Sequence, residues 1–454
     1  SVYGALGLQR GTFLNKETFG SDTLLARMGQ PSWRDYFAKT PLSAAAQQEL
    51  LRLYGSKIDY LDGMSPAEKL EFVQTTSYEK FLREYAGIGG EALSYVWECV
   101  TWAIGLDAIS TWVAVGEGWP GTAALGVDDF AETGAVQTGE SQFCHFPDGN
   151  ATITRLLVRS LVPGVAPGTT LDDVVTARFD YGALDSSDSA VRVRLNSTAV
   201  NVRHRGDPAS AKEVAVTYVR GDSAYQVRAG RCVMACYNAA IPYICDELPA
   251  AQKENLSLAA KAPLIYTNVL LRNWTAFARL GINGARCPGS YFQSVRLTEP
   301  VNLGGYRHSS KPDEPVVLRL RRAPLNPDLR GQSPVQQWRA GRAELLTTTF
   351  ETFEEKIRDQ LGRMLSGGGF DPARDIEAIT VNRWPHGYAY GHDPKTGQFA
   401  WMLDELPPER SPWVDARKTF GRIAIANSDA TADAMTEGAF EAAELAIDDL
   451  TQDL

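Results

Sequence analysis

Gly421-Arg422-Ile423-Ala424-Ile425-Ala426 is a short apolar run that predicts a buried β-strand. The polar stretch 427–434 that follows predicts a turn, and the apolar spacing over residues 435–450 predicts a helix. That helix would begin at Met435-Thr436-Glu437-Gly438-Ala439 and present free backbone N–H groups there. Because such groups attract negative charge, this strand–turn–helix predicts a site for a phosphate or for the electron-rich edge of a ring.

The centre of the chain carries strand patterns. Apolar and polar residues alternate over 191–204, 213–220 and 225–235, as expected where side chains point to opposite faces of a sheet. Gly206-Asp207-Pro208 and Gly221-Asp222 separate these runs, so they predict an antiparallel meander. Upstream, the turn Pro147-Asp148-Gly149-Asn150 precedes a helical pattern that ends near Leu161.

The flanking regions differ in character. Residues 1–140 predict helices and no sheet, with one helix opened by Ser43 and another by the capping pattern Ser65-Pro66-Ala67-Glu68. The long apolar stretch 93–115 contains Glu98 and Asp107 and predicts a buried helix rather than a membrane span. Residues 264–272, 291–297 and 316–321 predict strands, and 344–365 predicts one amphipathic helix that ends at Gly367-Gly368-Gly369. We therefore expect a two-domain α+β or α/β fold, with units at 1–140, 141–250, 255–400 and 415–454.

Composition restricts the class of partner. The 454 residues include 45 Lys and Arg against 55 Asp and Glu, a formal net charge of −10. This balance argues against nucleic acid or an anionic membrane as partner, because both attract positive charge, and it is compatible with a cationic substrate. The N-terminal residues lack the basic and apolar regions of a signal peptide. The six cysteines have no C-x-x-C spacing and the five histidines are scattered, so no metal site is predicted.

Two glycine patterns fail as dinucleotide-binding turns. Residues 87–92 fit the G-x-G-x-x-G/A spacing but follow a helix instead of a strand. Residues 116–121 fit it too, yet Trp119 is bulky and Pro120 has no N–H to offer a pyrophosphate. Residues 141–145 lack the first cysteine of a C-x-x-C-H motif, because Ser141 stands there, which argues against covalently attached haem. His386 and His392 flank a Gly-Tyr-Ala-Tyr-Gly loop, where they could line a cleft, with solvated loop histidines as the commoner alternative.

Several segments resemble the flavin-dependent amine oxidases. Residues 421–426 with Glu437-Gly438-Ala439 resemble their closing FAD motif, Cys232-Val233-Met234-Ala235-Cys236 resembles the end of a meander in their FAD domain, and Phe146-Pro147-Asp148-Gly149-Asn150 resembles the turn before a flavin-side helix. More narrowly, residues 10–13, 146–157, 375–390 and 420–430 resemble bacterial spermidine dehydrogenases. The resemblance covers essentially the whole chain.

The resemblance implies FAD-dependent oxidation of an amine C–N bond. It implies a small-molecule polyamine such as spermidine as substrate, and haem b, a quinone or a cytochrome as electron acceptor in place of oxygen. It further implies a periplasmic location and a homodimer. On this basis 1–140 is a helical cap, 255–400 is the substrate domain, and 141–250 with 415–454 forms an incomplete FAD-binding domain. The implied FAD-binding residues, with Val200 near the adenine, are Asp148, Gly149, Asn150, Val200, Ala426, Asn427, Ser428, Asp429, Met435, Thr436, Glu437 and Ala439.

Four side chains are candidates for substrate handling. An amine reacts in its neutral form, which an apolar pocket favours, while a remote carboxylate could hold a second ammonium. Trp384, Tyr388 and Tyr390 are candidates for the aromatic wall, with ordinary core aromatics as the alternative. Glu117 is the candidate anchor, with an exposed surface carboxylate as the alternative.

The chain departs from the family pattern at several places. The initial strand and G-x-G-x-x-G of the family are missing, so we expect about 150 family residues to be absent or supplied by another chain. Asn427-Ser428 stands where relatives often have Gly-Glu, and Met435 stands where monoamine oxidases place an aromatic-cage tyrosine. Relatives place a lysine beside the flavin at a position near Tyr266-Thr267, where this chain has none. That difference predicts a dehydrogenase rather than an oxidase.

Two further functions remain open from the sequence. One is an L-amino-acid oxidase on the same scaffold, which would need an arginine for the substrate carboxylate; Arg383 is the nearest candidate. The other is a cofactor-free scaffold or partner-binding subunit, which the missing dinucleotide fingerprint would fit. A flavin absorption band would distinguish the cofactor-free scaffold from the amine dehydrogenase and the L-amino-acid oxidase.

Overall fold

A computed structural model describes residues 2–97, 104–127, 145–329, 331–391 and 410–452. Cys99, Cys144 and His392 lie outside the described residues, as do Ser141 and most of the C-x-x-C-H-like segment. The described residues form a mixed helix-and-sheet structure, which confirms the fold class expected from the sequence.

Strands occur along the whole described chain. They are β1 (Gln9–Leu14), β2 (Thr23–Leu25), β3 (Thr198–His204), β4 (Val214–Arg220), β5 (Ser223–Ala229), β6 (Cys232–Met234), β7 (Ala260–Lys261), β8 (Leu264–Leu271), β9 (Ile282–Arg286), β10 (Ser294–Leu297), β11 (Val316–Arg322), β12 (Ile376–Trp384), β13 (Ala389–Tyr390) and β14 (Ile423–Ile425).

The helices include several single turns. They are α1 (Val2–Ala5), α2 (Lys16–Phe19), α3 (Trp33–Phe37), α4 (Ala44–Gly55), α5 (Pro66–Thr75), α6 (Tyr78–Lys80), α7 (Gly90–Val96), α8 (Thr111–Gly116), α9 (Ala151–Leu161), α10 (Leu171–Thr176), α11 (Ile241–Ile244), α12 (Ala250–Ser257), α13 (Thr275–Leu280), α14 (Pro334–Thr347), α15 (Phe350–Leu365), α16 (Pro372–Asp375), α17 (Pro412–Ala416), α18 (Ser428–Thr431) and α19 (Thr436–Thr451). A π-helical turn spans Phe81–Tyr85, and 3₁₀ turns span Tyr181–Asp185, Asn238–Ala240, Pro327–Leu329 and Ser366–Gly368.

One large sheet organises the fold. Its seven strands run in the order β12-β8-β11-β10-β9-β1-β2, and β1 pairs parallel with β9 while the other pairs are antiparallel. A core that includes Phe277, Ile357 and Leu361 packs α13 and α15 against the sheet. A second core, which includes Phe37, Leu53 and Trp112, gathers the helices of the first 127 residues. The cores therefore hold helical layers against the central sheet.

Three small sheets complete the architecture. Strands β3, β4 and β5 form the antiparallel meander predicted from the alternation. Strand β6 leaves that meander and pairs parallel with β14, so the prediction of one meander strand over 225–235 is wrong. Strands β7 and β13 form a short antiparallel pair. An alternating pattern predicts that a segment is a strand but does not choose its partner, which explains the error.

The N-terminal region is not purely helical. Strands β1 and β2 belong to the seven-stranded sheet, so the expectation of helices without a sheet in residues 1–140 is wrong for this part. Four consecutive residues at the end of β1, Gly11 to Leu14, are buried. Because both faces of the strand are buried there, the sequence lacks the alternation of apolar and polar residues that marks a strand with one face in solvent. In the described part of residues 93–115 two short helices, α7 and α8, replace the expected single helix.

The helix predicted over 344–365 is two helices. Helix α14 begins at the capping box of Ser333 and Gln336 and ends at Thr347. Thr348 is extended, and the Thr349 hydroxyl then accepts a hydrogen bond from the Thr352 N–H to begin α15. A threonine side chain stabilises a helix start better than a helix interior, which explains the break between the two helices. The apolar spacing continues across this break, and for that reason the sequence predicted a single helix.

Candidate cofactor and substrate site

The parallel pair β6/β14 ends at the strand–turn–helix of the C-terminus. Asn427 follows β14, and its side-chain oxygen accepts a hydrogen bond from the Ala430 N–H to begin α18. Its side-chain amide donates to the Cys236 carbonyl at 2.6 Å and to Asn238 Oδ1 at 3.0 Å. Asn427 therefore fixes the two loops that leave the carboxyl ends of these strands.

A cavity of about 980 Å³ opens at this edge. Its walls come from the β6 loop, from the edge of the large sheet and from the C-terminal unit, and its volume lies at the upper end for ligand pockets. The candidate residues that line it are Asn150, Trp384, Tyr388, Ala426, Asn427, Ser428, Asp429 and Ala439. The structure thus brings together eight residues from three separate segments of the sequence.

A buried ion pair lies in the cavity wall. Lys261 Nζ is 2.7 Å from Asp429 Oδ1, and Asp429 Oδ2 accepts a hydrogen bond of 3.0 Å from the Asn238 N–H. The Lys261 ammonium also lies 4.8 Å from the centre of the Tyr237 ring, within the range of a cation–π contact. Sequence reasoning missed Lys261, although a single lysine in the apolar run Ala259-Ala260-Lys261-Ala262-Pro263 is a signal of a paired, buried charge.

His386 lines the same cavity, as its place beside the Gly-Tyr-Ala-Tyr-Gly loop suggested. Burial lowers its pKa below the ordinary value, and the positive charges of Arg342 and Lys261 lower it further, against an opposing effect of Asp429. Its ring lies 5.3 Å from that of Tyr237. The site therefore favours the neutral form of the imidazole at neutral pH.

Two tyrosines form the inner part of the wall. The hydroxyls of Tyr266 and Tyr388 are 3.1 Å apart, and burial raises the pKa of Tyr388, so this phenol stays protonated at neutral pH. Tyr390 is buried behind them, 5.7 Å from the Tyr388 ring and 6.0 Å from the Trp338 ring, and lines a neighbouring small void. Trp384 and Tyr388 thus face the cavity, whereas Tyr390 supports them.

The turn at residues 147–150 closes the cavity on another side. Asn150 Nδ2 donates a hydrogen bond of 3.0 Å to the Thr436 hydroxyl at the start of α19. Asp148 accepts from the Thr152 hydroxyl and from Arg155, and Gly149 has a φ of +69°, which favours glycine. Asp148, Gly149 and Asn150 also line an adjoining groove of about 1010 Å³. That groove shares Asn150, Tyr266 and Trp384 with the cavity, so the two are continuous.

Other candidates lie outside the cavity lining. Val200 is exposed on β3, Met435 is exposed immediately before α19, and Glu437 is exposed in the first turn of α19. Glu117 is half-buried at the end of α8, where burial raises its pKa, and it does not line the cavity of Trp384 and Tyr388. The Arg383 guanidinium donates to the Leu345 and Thr348 carbonyls at the end of α14.

The lining fits a flat ring better than a pyrophosphate. Ala426, Ser428, Ala434 and Ala439 are small, and Trp384 presents a half-exposed indole to the opening. Lys261 is the one lysine in the described lining, which contains no arginine, and Asp429 neutralises it. The residues therefore fit the isoalloxazine ring of a flavin, with the start of α19 nearby, and supply no cationic cradle for its phosphates.

The described residues show neither a metal centre nor a membrane segment. They contain no group of three or more His, Cys, Asp or Glu side chains placed to hold a metal ion. In the same part of the chain no helix combines the length and apolar character needed to cross a bilayer.

Solved structures similar to this chain include amine oxidases. Putrescine oxidase, in a structure of the wild type bound to putrescine, matches with a TM-score of 0.49 and 14% identity, over 98% of this chain and 84% of that one. A double mutant of putrescine oxidase, from the same redesign of cofactor binding, matches with a TM-score of 0.47 and 14% identity over the same shares. Cyclohexylamine oxidase from Brevibacterium oxydans IH-35A matches with a TM-score of 0.45 and 12% identity, over 99% of this chain and 84% of that one. No protein-family model and no curated protein matches the chain.

Proposed function

We propose that this chain binds FAD and oxidises the C–N bond of an amine. The observation that carries the proposal is the convergence of Trp384, Tyr388 and the start of the C-terminal strand–turn–helix on one cavity of about 980 Å³. These are the segments whose residues resemble the flavin-dependent amine oxidases. An independent sequence signal thus coincides with a cavity that fits a flat aromatic ring.

The chain's own residues would orient the ring and the amine. Trp384 offers an aromatic face, and Asn150 with Thr436 holds the turn against the helix start. Bound flavin supplies the two-electron acceptor for a hydride leaving the carbon next to the amine nitrogen, and water then hydrolyses the resulting imine to a carbonyl compound and ammonia or a shorter amine. The mainly apolar lining favours the neutral, reactive form of the amine.

We propose that electrons pass to an acceptor other than oxygen, such as haem b, a quinone or a cytochrome. The reason is that the sequence has no lysine near Tyr266-Thr267 on β8, where the resemblance places a lysine in related oxidases. The resemblance also leads us to propose a periplasmic location and a homodimer. Amine turnover that depends on an added quinone and consumes no oxygen would support the dehydrogenase reaction; oxygen consumption equal to turnover would contradict it.

The resemblance implies a polyamine substrate, which carries a second ammonium group that the site would have to bind. A second ammonium requires a carboxylate that faces it. Asp429 is the one acidic residue in the described lining of the cavity, and it already forms an ion pair with Lys261. Glu117, the proposed anchor, does not line that cavity.

An absorption spectrum tests the central proposal. The purified chain is mixed with an excess of FAD, separated from free cofactor and scanned for the flavin band near 450 nm and for a haem Soret band. We expect a retained flavin band that bleaches when an amine is added without oxygen. A chain that retains no flavin under these conditions is the cofactor-free scaffold left open by the sequence, and the proposal then fails.

A further inference from the structure

The outer edge of the large sheet is a long strand that is paired on one side. Strand β12 (Ile376–Trp384) stands at one end of the strand order, and β8 is the one strand that pairs with it in the described part of the chain. The exposed residues of this strand are Glu377, Ala378, Thr380, Asn382, Arg383 and Trp384. A free edge of this length presents backbone N–H and C=O groups with which another chain can pair.

The centre of β12 carries no group that would keep another strand away. Residues 378–382 read Ala-Ile-Thr-Val-Asn, with neither a charge nor a proline, and the bulge between Ile376 and Ala378 lies outside this centre. Natural edge strands are usually protected by a charge, a proline or a bulge within the strand. Here Glu377 and Arg383 flank the centre and carry opposite charges. The free edge of β12 is therefore suited to pairing over its neutral centre.

Two copies of β12 can pair antiparallel in a register that matches their charges. A two-fold axis perpendicular to the sheet keeps each side chain on its own face, so one residue must lie opposite its own copy. With Thr380 on the axis, Glu377 of each copy lies opposite Arg383 of the other, which places opposite charges at both ends of the paired strands. The central pairs are then Thr380 with Thr380, Ile379 with Val381, and Ala378 with Asn382.

The neighbouring registers match less well. An axis at Ile379 places Glu377 opposite Val381, and an axis at Val381 places Arg383 opposite Ile379. Both leave a charge facing an apolar side chain, whereas the first register pairs charged residues with each other and apolar residues with each other. Glu377 contacts Arg272 within its own chain, and this ion pair is exposed, so the carboxylate remains accessible to a second copy. The sequence of β12 therefore favours one register.

Exposed apolar side chains lie beside this edge. The Arg383 guanidinium donates to the Leu345 and Thr348 carbonyls at 3.2 and 3.3 Å, which places the junction of α14 and α15 next to the strand. At this junction Leu346 is 66% exposed and Phe350 is 47% exposed. Neighbouring apolar side chains in solvent favour contact with another protein. A second copy paired along β12 would lie beside both of them.

The other edge of the sheet is much shorter. Strand β2 forms it, with the three residues Thr23–Leu25. A two-fold pairing uses the β12 edge of both copies and leaves the two β2 edges, which offer few backbone groups to a further copy. The assembly therefore stops at two copies.

We propose that two copies of this chain pair through β12 and join their large sheets across a two-fold axis at Thr380. The inference rests on the homodimer of the proposed function, for which it supplies an interface, and does not depend on FAD binding. Trp384 ends the paired strand and lines the 980 Å³ cavity. In this register the second copy's β12 begins beside Trp384, so the dimer supports the wall of the candidate flavin cavity.

The mass of the full chain in solution tests the inference. Size-exclusion chromatography with light scattering gives the mass, and analytical ultracentrifugation gives the dissociation constant of the dimer. We expect a mass near twice 49.6 kDa. Glu377→Lys brings two positive side chains together at each end of the interface, and Arg383→Glu brings two negative ones together. Each substitution should therefore raise the dissociation constant about tenfold or more.

Further variants separate pairing from folding. Glu377→Lys/Arg383→Glu restores opposite charges in reversed order and should bring the dissociation constant back towards that of the unmodified chain, whereas a folding defect would persist. Thr380→Arg places like charges on the axis without changing either flanking residue, and it should also weaken the dimer. Arg228→Glu is the control, because Arg228 is an exposed arginine that pairs with Glu213 in the separate three-stranded sheet, and it should have no effect. Circular dichroism confirms that each variant is folded.

The outcomes distinguish this interface from the proposed function. A monomer at every protein concentration, or an open-ended assembly, overturns the inference. A dimer that withstands both single charge reversals overturns the interface and leaves the homodimer standing, and so does a double variant that dimerises no better than the single ones. Flavin retention is measured on the same samples. A charge-sensitive dimer that retains no flavin supports the interface, while the proposed FAD-dependent function then fails.

Discussion

Lys261 and Asp429 join the short β7/β13 sheet to the C-terminal unit through a buried ion pair, with 2.7 Å between Nζ and Oδ1. The lysine belongs to β7, and the aspartate lies in the short helix α18 after β14. Burying two charges costs desolvation energy, which their attraction and further hydrogen bonds offset. This pair therefore holds the wall of the candidate flavin cavity in one arrangement.

Removing only the lysine should destabilise the fold strongly. Lys261→Met leaves the Asp429 carboxylate buried and uncompensated, so we expect the free energy of unfolding to fall by about 3–5 kcal/mol, measured by urea denaturation. The double variant Lys261→Met/Asp429→Asn removes that isolated charge and should recover part of the loss. Lys418→Met is the control, because Lys418 pairs with Asp415 on the surface and should change stability by about 1 kcal/mol or less. Equal losses for Lys261→Met and Lys418→Met would contradict the argument.

Replacing Trp384 should weaken FAD binding and change the free energy of unfolding only slightly. Its side chain is 51% exposed at the end of β12, so Trp384→Ala is expected to change the free energy of unfolding by less than about 1 kcal/mol. Losing an aromatic stacking partner should weaken FAD binding about two- to tenfold, measured by titration of flavin fluorescence. Tyr243→Ala, at a tyrosine that is 88% exposed, is the matched control and should alter neither quantity. Unchanged FAD affinity in Trp384→Ala would remove Trp384 from the site.

His386 should make stability fall on acidification. Its pKa in the folded chain is below the ordinary value of 6.5, because of burial, Arg342 and Lys261. Below pH 6.5 the unfolded chain therefore binds a proton at this histidine, whereas the folded chain does not yet bind one. The free energy of unfolding decreases as the pH falls, until the pH passes below the pKa of His386 in the folded chain. The ring resonance that disappears from the NMR spectrum of His386→Gln should titrate below pH 6.5 in the unmodified chain. A midpoint at or above 6.5 would contradict this assignment.

Gly421 should not tolerate a side chain. It has a φ of +57° before β14, and a Cβ there would lie 2.6 Å from His204 Nε2, which accepts a hydrogen bond from the Arg422 N–H. We expect Gly421→Ala to lower the free energy of unfolding by about 1–3 kcal/mol, measured by urea denaturation.

Substitutions at two other glycines separate the effect of backbone strain at Gly421 from the effect of the contact with His204. Gly206 has a φ of +109°, and a Cβ at this position would have no atom within 4 Å, so Gly206→Ala reports backbone strain alone. Gly230 has neither a positive φ nor a close neighbour, and Gly230→Ala should be close to neutral. If all three substitutions have the same effect, contact with His204 plays no part.

Local signals in the sequence located the C-terminal unit well. The predicted strand 421–426 contains β14, and the predicted helix 435–450 differs from α19 by one residue at each end. The Ser65 capping box is also present as predicted, since a serine, a proline and a glutamate at those spacings interact within one helical turn. Such features depend on residues that are neighbours in sequence, and the sequence is sufficient to predict them.

Partners across strands required the tertiary structure. The strand pattern at Cys232 was visible, but its parallel pairing with Ile423 depends on how distant segments pack. The same holds for Lys261 with Asp429 and for Arg321 with Tyr266, which are far apart in sequence and adjacent in space. Sequence reasoning therefore named aromatic residues of the cavity wall but missed Lys261, whose partner Asp429 is distant in sequence.

The sequence by itself determined the mixed helix-and-sheet fold, the meander and the strand–turn–helix, because apolar periodicity and capping act over a few residues. It also determined the net charge of −10. Only the tertiary structure decided where positive charge is concentrated, because strand register places Arg286, Ser294 and Arg321 in one row. Register is a relation between distant segments, and a shift of one residue in a strand would turn its side chains to the opposite face.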